Sequence, residues 1–288
     1  MFRTILVPLA GDSAVAPDAL EAAGNLAAMF GGHLVGLHVR TDGATYLDAL
    51  SGGGLLGSMP AEELAELIDR DGDKHCQAVR RQFQEFCSRR NIPILLQASS
   101  AREGISAELE IEYGDAADVV ASAGRACDIT VMRRPTDTGV PQGVLHAALF
   151  ETGRPLLLAG PWPAIAYDRV VIGWRPAAEA ARAVAAAMPF LERAKAIEVV
   201  CVDADAEHRL DALRLVDNLR WRGLAATARP VVSDGDGEGE ALLSAVRGSD
   251  GDLLVMGGFG HNRFSQFVMG GVSRHILQHG DCAVLLAH

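Results

Sequence analysis

The chain has 288 residues, of which 49% are hydrophobic, and its 26 basic and 37 acidic residues give a formal net charge of −11. This length allows one large domain or two ordinary domains with a buried core. The acidic balance disfavours broad binding to nucleic acids and to anionic membranes, because both need clustered basic residues. We therefore expect neither nucleic acid nor membrane as a partner.

The lack of a recognisable targeting signal and the cysteine usage predict a cytoplasmic protein. The N-terminal stretch MFRTILVPLAGDS lacks a charged segment followed by an apolar one, so no signal peptide is expected. No run approaches about 18 uninterrupted apolar residues, the length that a membrane span needs. The five cysteines form no CxxC pair, and an odd number cannot pair completely within one chain, which favours reduced and buried thiols.

The first half alternates short apolar runs with helical stretches. The expected strands are Ile5–Leu9, Leu34–Val39, Ile94–Ala98, Ile129–Met132 and Leu156–Ala159. A long helix is predicted from about Ala61 to Arg90. The glycine-broken insertion Thr45–Met59 before it is interpreted as a surface loop, with a lid or a partner-docking element as the alternative.

The second half repeats this order. Its expected strands are Val170–Trp174, Glu198–Val202, Ala226–Val232, Leu253–Met256 and Ala283–Ala287. Its expected helices are Ala178–Leu191, Ala206–Trp221, Gly239–Arg247 and Gly271–Gln278. The pattern indicates parallel sheets covered on both faces, with right-handed crossovers. The predicted fold class is therefore α/β, with two tandem doubly wound parallel-sheet domains of the Rossmann-like kind.

Direct sequence similarity supports a duplication. The stretch that begins at Thr4 resembles the one that begins at Arg169, and ACDITVM (126–132) matches DGDLLVM (250–256). RPLLLA (154–159) likewise matches CAVLLA (282–287). The segment GPWPA (160–164) contains two prolines, which neither strands nor helix interiors accommodate well, and forms the natural joint. We expect domains at residues 1–160 and 165–288.

Two glycine clusters flank one loop of the second half, in MGGFGHNRFSQFVMGGVS (256–273). Gly257 follows the fourth strand, at the sheet edge where open α/β folds bind ligands. Gly270 and Gly271 open the next helix, whose unpaired N–H groups suit phosphate. His261 and Arg263 lie on the loop between the clusters. Spacing alone is equally consistent with a tight turn and an irregular loop.

The first half provides an internal comparison. At the matching place it reads VMRRPTDTGVPQGVLHAALFE, with Arg133 and Arg134 in place of the first glycine cluster. The fold therefore does not require glycine there, which favours a ligand role for the cluster in the second half.

The spacing of Gly257, Gly260 and Gly270 resembles the nucleotide motif of the universal stress protein family: glycine, two residues, glycine, nine residues, then glycine and serine or threonine. The stretches GVSRHIL and DCAVLLA are similar to the family's helix and last strand. The resemblance covers nearly the whole chain twice and identifies it as a member of the tandem, two-domain kind. It implies a fold similar to that of adenine nucleotide alpha hydrolases.

The resemblance implies ATP or a related adenine nucleotide as the ligand, with or without Mg²⁺. In the family, the loop and helix start hold phosphates and ribose, while the ends of the first two strands hold adenine. The implied nucleotide-binding residues are Gly173, Trp174, Arg175, Val202, Met256, Gly257, Gly260, His261, Arg263, Gly270, Gly271, Val272 and Ser273.

Two positions depart from the family pattern. Gly271 replaces the serine or threonine of the motif, and Arg175 stands where an acidic residue usually follows the first strand. Loss of one hydrogen bond to a charged group costs about 1.5–3 kcal/mol. Arg175 can instead pair with phosphate, which would weaken ATP binding or favour another phosphorylated ligand.

Catalytic and metal sites are not predicted. The chain has no GxxxxGK[ST] loop and no GxGxxG after either first strand, and nothing supplies an activated nucleophile. Slow ATP hydrolysis would be incidental. His275 and His279, four residues apart, are interpreted as solvent-facing or capping residues, with a metal pair as the alternative. For Trp174, stacking on a base and packing in the core are equally open.

The predicted function is a cytoplasmic, regulatory stress-response protein that binds an adenine nucleotide in its second domain. The resemblance implies that the domains pack as an internal pseudo-dimer through their final strands, and a further homodimer is compatible with it. The alternative is a nucleotide-free interaction or scaffold protein of the same fold. A nucleotidyl-transfer enzyme is a second alternative, but LAGDS (9–13) and GWRPA (173–177) provide no paired catalytic motif.

Overall fold

The computed structural model describes residues 1–9, 17–40, 60–98, 104–134, 142–161, 166–235, 237–258 and 271–288. The strands of the first half are β1 (Thr4–Pro8), β2 (His33–Arg40), β3 (Ser106–Tyr113), β4 (Ile129–Met132) and β5 (Leu156–Leu158). Those of the second half are β6 (Arg169–Gly173), β7 (Ala196–Val202), β8 (Ala226–Val231), β9 (Leu253–Gly257) and β10 (Ala283–Ala287).

Helices connect these strands. Those of the first half are α1 (Pro17–Phe30), α2 (Ala61–Arg89), α3 (Ala116–Ala126) and α4 (Gln142–His146), which continues as a π-helical segment, Ala147–Glu151. Those of the second half are α5 (Ala178–Leu191), α6 (Ala206–Trp221), α7 (Glu238–Gly248) and α8 (Gly271–His279). One face of the sheet is covered by α1, α2, α5 and α6, and the other by α3, α4, α7 and α8.

All ten strands form one sheet, in the order β3-β2-β1-β4-β5-β10-β9-β6-β7-β8. Every pair is parallel except β5–β10, where Leu157 opposes Leu285 in an antiparallel ladder. The two halves therefore repeat one doubly wound α/β unit about a pseudo-twofold axis. The predicted fold class and the predicted packing through the final strands are confirmed, whereas the domain limits 1–160 and 165–288 stay predictions.

The expected strand Ile94–Ala98 is wrong. Within that stretch only Ile94 forms a bridge, to Ala107, and Leu96 is 94% exposed. The third strand is β3, which pairs with β2 along its whole length. Its sequence SAELEIEY alternates apolar residues with glutamate, as an outer strand with one solvated face does, so it lacks the continuous apolar run that marks the inner strands. The other predicted bounds differ from the observed ones by two residues or fewer, and the insertion 45–59 lies outside the described residues.

An aromatic cluster joins the two halves on one face. Phe30 of α1 and Phe190 of α5 meet with ring centroids 5.9 Å apart. Phe2 contacts both rings at 5.4 and 5.3 Å, and Tyr167, which precedes β6 as Phe2 precedes β1, lies 5.1 Å from Phe190. Offset and edge-to-face contacts of this kind add to the free energy gained by burying the rings. The two helices thus pack against each other at the axis.

The predicted burial of the cysteines is confirmed, because all five are free and buried. Burial raises the pKa of Cys127 and of Cys282 to about 11. Reactive thiolates are therefore scarce near neutral pH. In the part of the chain that the structure describes, no helix is long and apolar enough to cross a bilayer.

Equivalent aspartates, Asp128 and Asp252, directly precede the fourth strand of each half. Asp128 Oδ2 accepts hydrogen bonds from the backbone N–H groups of Arg3 and Thr4, at 2.6 and 3.0 Å. Asp252 Oδ2 accepts them from the N–H groups of Asp168 and Arg169, at 3.1 and 3.0 Å. In each half, therefore, an equivalent aspartate connects the start of the first strand to the start of the fourth strand.

Arg134 connects the first half to the end of α8. Its Nη1 donates to the carbonyl oxygen of Ile276 at 2.6 Å, and its Nη2 donates to that of Cys282. A cation near a helix C-terminus is favourable because the helix dipole makes that end negative. Burial lowers the pKa of Arg134. Arg134 is the first-half equivalent of Gly258 in the second half. An arginine at this position of the first half therefore contributes to the contact between the two halves.

We expect Asp252→Ala to lower the free energy of unfolding by about 1–3 kcal/mol, because two backbone N–H groups lose their acceptor. Asp252→Asn keeps an oxygen at this place and should cost less. Urea denaturation of the two variants measures the difference. Alanine and asparagine variants of equal stability would mean that the two hydrogen bonds do not hold the strand.

We expect Arg134→Met to lower the free energy of unfolding by about 2–4 kcal/mol, because two carbonyl groups lose a charged donor. Arg133→Met is the matched control, since Arg133 makes no hydrogen bond or ion pair within the described ranges. Both variants remove one positive charge and keep an apolar stem. Equal losses in thermal or urea unfolding would refute the capping role.

Candidate functional site

The candidate site lies where the strand order reverses. β6 neighbours both β7, which follows it in the chain, and β9, which returns to its other side. Gly173 at the end of β6 pairs in register with Met256 of β9. In open α/β sheets this reversal leaves a crevice beyond the carboxyl ends of the strands. Gly257, the first glycine of the predicted motif, ends β9 at this crevice.

Both glycines at these strand ends are closely packed. A Cβ on Gly173 would lie 2.8 Å from Leu242 of α7. A Cβ on Gly257 would lie 2.6 Å from the backbone nitrogen of Ala180, in the first turn of α5. The close packing at Gly257 requires glycine whether or not a ligand binds there, which is an argument for the nucleotide-free alternative.

The start of α8 is open. Gly271 is exposed, and a Cβ on it would meet no atom of the described residues within 4 Å. The next two residues turn inward: Val272 packs against the core below α8, and Ser273 is buried. α8 thus presents an accessible N-terminal turn at its first residue.

The chain that leaves β9 is held next to β10. The Gly258 N–H donates to the Ala287 carbonyl oxygen at 2.8 Å, and His288 Nδ1 lies 3.1 Å from the Gly258 carbonyl oxygen. The rest of the loop lies outside the described residues. Four predicted site residues fall there and stay predictions: Gly260, His261, Arg263 and Gly270.

The predicted adenine side contains one residue with a clear packing function. The backbone N–H of Trp174 donates to the Val200 carbonyl oxygen at 2.8 Å, and the indole ring packs against the main core. Val202 ends β7 and is half-buried. Arg175 is exposed, and its Nη1 lies 3.7 Å from Glu238 Oε2 at the start of α7. The indole of Trp174 packs against the core, and stacking on a base stays a prediction.

Glu179 is a residue that the sequence analysis missed. It is only 3% exposed, in the first turn of α5, and its Cβ would lie 2.9 Å from a Cβ on Gly257. Its Oε1 lies 3.9 Å from Nη2 of Arg182. The available signal was an acidic residue in a first helical turn, a favourable position with respect to the helix dipole. The side chain of Glu179 therefore lies next to the Gly257 end of the crevice.

The histidine pair connects α8 to α7. His275 Nε2 lies 2.9 Å from Glu240 Oε2, and the His275 and His279 rings stack with centroids 4.3 Å apart. Hydrogen bonds from His275 and then from Arg247 hold the pKa of Glu240 below its ordinary value. Among residues with described positions, no group of three or more His, Cys, Asp or Glu side chains could hold a metal ion.

Comparisons with known proteins agree with the observed repeat. The model of the universal stress protein family matches residues 1–145 and again residues 166–288. No curated protein is similar enough in sequence to be matched.

Several solved structures share the whole fold at low sequence identity. A universal stress protein from Archaeoglobus fulgidus DSM 4304 is 15% identical, with a TM-score of 0.72 over 99% of this chain and 95% of its own. A putative universal stress protein from Pseudomonas aeruginosa UCBPP-PA14 is 15% identical, with a TM-score of 0.57 over 99% of this chain and 93% of its own. Because the family model matches both halves separately, the chain belongs to the universal stress protein family as a tandem of two family domains.

Proposed function

We propose that this protein is a regulatory stress protein that binds ATP or a related adenine nucleotide at the crevice of its second half. The observation that carries the proposal is the position of Gly257, which ends β9 at the reversal of strand order in a member of this family. The accessible first residue of α8 supports it, because a helix N-terminus offers unpaired N–H groups to phosphate.

The charges around the crevice suggest how the nucleotide lies. The side chain of Glu179 beside Gly257 offers hydrogen-bond acceptors, which suit a ribose hydroxyl better than a phosphate. In the proposal the phosphates therefore approach Gly270 and Gly271 at the start of α8, with His261 and Arg263 as additional donors. Ribose then lies nearer to Met256 and Gly257, and adenine nearer to Gly173 and Val202.

Two of the proposed contacts take a restricted form. Trp174 contributes at most its backbone to the base, because its indole packs in the core. Among the residues that the structure describes, Arg175 forms only an exposed ion pair with Glu238, at 3.7 Å. Such pairs contribute little to stability, so the guanidinium can move to a bound phosphate at small cost.

The role proposed is binding rather than catalysis. A nucleotide with Mg²⁺ would be held as a signal, and slow hydrolysis would be incidental. A cytoplasmic location and a further homodimer belong to this proposal, on the strength of the family resemblance. The second candidate is a nucleotide-free interaction protein, which is favoured by the packing of Gly257 against α5.

We expect Gly271→Ser to bind a fluorescent ATP analogue about tenfold more tightly than the unaltered chain, because it supplies the hydroxyl that the family motif has at this position. The open space around Gly271 accommodates the new side chain. Gly271→Ala is the matched control, because it adds the Cβ and the same backbone restriction without the hydroxyl. Fluorescence titration with Mg²⁺ present measures the three affinities.

Thermal unfolding gives a second readout on the same proteins. A nucleotide at about 100 times its dissociation constant should stabilise the native state by about 2.7 kcal/mol. If millimolar nucleotide shifts neither the unaltered chain nor Gly271→Ser, the nucleotide-free function replaces the one proposed.

A further inference from the structure

A groove separates α5 from α6 on the outer surface of the second half. It has a volume of about 380 Å³. Its lining consists mainly of small and apolar side chains from the two helices, with three polar groups among them: Trp174, Ala181, Val184, Ala185, Met188, Leu215, Asn218, Leu219 and Arg222. Most of these residues lie along the helices rather than at the crevice beyond the strand ends.

The equivalent place in the first half can be identified from the internal symmetry. Phe30 and Phe190 meet at the axis, so residues at equal distances before them correspond. The groove residues Ala181, Val184 and Ala185 of α5 therefore correspond to Glu21, Gly24 and Asn25 of α1.

The facing helices align in the same way. Arg90 and Arg222 are the C-cap residues of α2 and α6, and each is followed by a residue with positive φ, Asn91 or Gly223. Counting back four residues makes Phe86 of α2 the equivalent of Asn218 of α6.

In the first half this place is filled by an aromatic ring. Phe86 is 3% exposed, and its Cζ would lie 2.9 Å from a Cβ on Gly24. The equivalent residue of the second half is Asn218, whose side chain is exposed. The groove therefore corresponds to the volume that an apolar ring occupies in the other half.

The charge at this place is also balanced in only one half. Arg90 Nη1 donates to Glu21 Oε2 at 2.5 Å, and its Nη2 donates to Asn25 Oδ1 at 2.6 Å. Arg222 Nε has only a long contact of 3.4 Å, to Asn218 Oδ1. Within the described ranges no carboxylate lies within 4 Å of its guanidinium, because alanines replace Glu21 and Asn25.

A buried donor adds a third feature. Trp174 lines the groove, and its Nε1–H is inaccessible to solvent without an acceptor among the described residues. An indole N–H buried in this way loses its hydrogen bond to water and gains none in return. The groove thus combines an apolar surface with the exposed guanidinium of Arg222, which no carboxylate of the described residues pairs, while the indole N–H lies below the surface of the groove.

We propose that this groove binds a small organic anion, a carboxylate with a compact apolar or aromatic body. The carboxylate would pair with Arg222, as Glu21 pairs with Arg90 in the first half. The apolar body would lie on Val184, Leu215 and Leu219, where Phe86 lies in the first half. Pockets that join a mostly apolar lining to a few polar groups are typical of small-molecule sites. This site is separate from the proposed nucleotide crevice.

The test is calorimetric titration of the full chain with 2-naphthoate, and with neutral 2-naphthamide as the uncharged probe. We expect saturable binding of one naphthoate with a dissociation constant below about 1 mM, and weaker binding of the amide. Arg222→Gln should weaken naphthoate binding about tenfold or more, because it removes the charged donor. Arg214→Gln is the matched control on the same helix, since Arg214 pairs with Asp211 at 2.8 Å outside the groove.

Asn218→Phe restores the residue type of the first half and should abolish binding by filling the groove. Circular dichroism checks that this variant folds, and Ala185→Leu, which fills the groove from α5, replaces it if it does not; that variant should also abolish naphthoate binding. The proposal fails if naphthoate does not bind the unaltered chain, as expected of a groove that receives a partner's helix instead. It fails equally if Arg222→Gln and Arg214→Gln bind alike. Titration of all variants with the fluorescent ATP analogue should show no change, which separates this site from the crevice.

Discussion

The antiparallel pairing of β5 with β10 is the constraint on which the rest of the architecture depends. Three residue pairs, made of five buried leucines and Val284, join two five-stranded units into one sheet. Because the pairing is antiparallel, the strands of the two halves run in opposite directions, and their carboxyl ends lie at opposite edges of the sheet. The crevice of the second half therefore lies far from its counterpart, and the two edges could diverge independently.

The divergence follows a simple physical pattern, in which one half packs a place that the other leaves accessible. Arg134 in the first half caps a helix of the second, while Gly258 at the matching position only carries the chain past β10. Phe86 fills the space between two helices, while Asn218 leaves a groove. A duplicated fold tolerates such changes, because the half that keeps a place tightly packed stabilises the sheet that both halves share.

The sequence was sufficient for most of the fold because the inner strands bury both faces and so read as continuous apolar runs. Strand Ala283–Ala287 and helices Ala178–Leu191 and Ala206–Trp221 match their predictions residue for residue. β3 was missed because an outer strand alternates glutamate with apolar residues and its neighbour Ile94 offered a competing apolar stretch. The position of Gly257 was predictable from the order of strand, loop and helix. The burial of Glu179 was not, because it depends on how α5 packs against β9, and the function of Arg134 depends on a partner 142 residues away.

The alternating glutamates of β3 have a consequence for assembly. Glu108, Glu110 and Glu112 lie on one side of the outermost strand, and partial burial together with repulsion from its neighbours raises the pKa of Glu110. A strand from another molecule that paired with β3 would lie next to this row of negative charges. Charged side chains on an edge strand are a common protection against edge-to-edge association of sheets. At the opposite edge of the sheet, Pro230 of β8 has no backbone N–H that could hydrogen-bond an added strand. Larger assemblies of this chain should therefore form through helix surfaces, and fibre-like extension of the sheet is disfavoured at both ends.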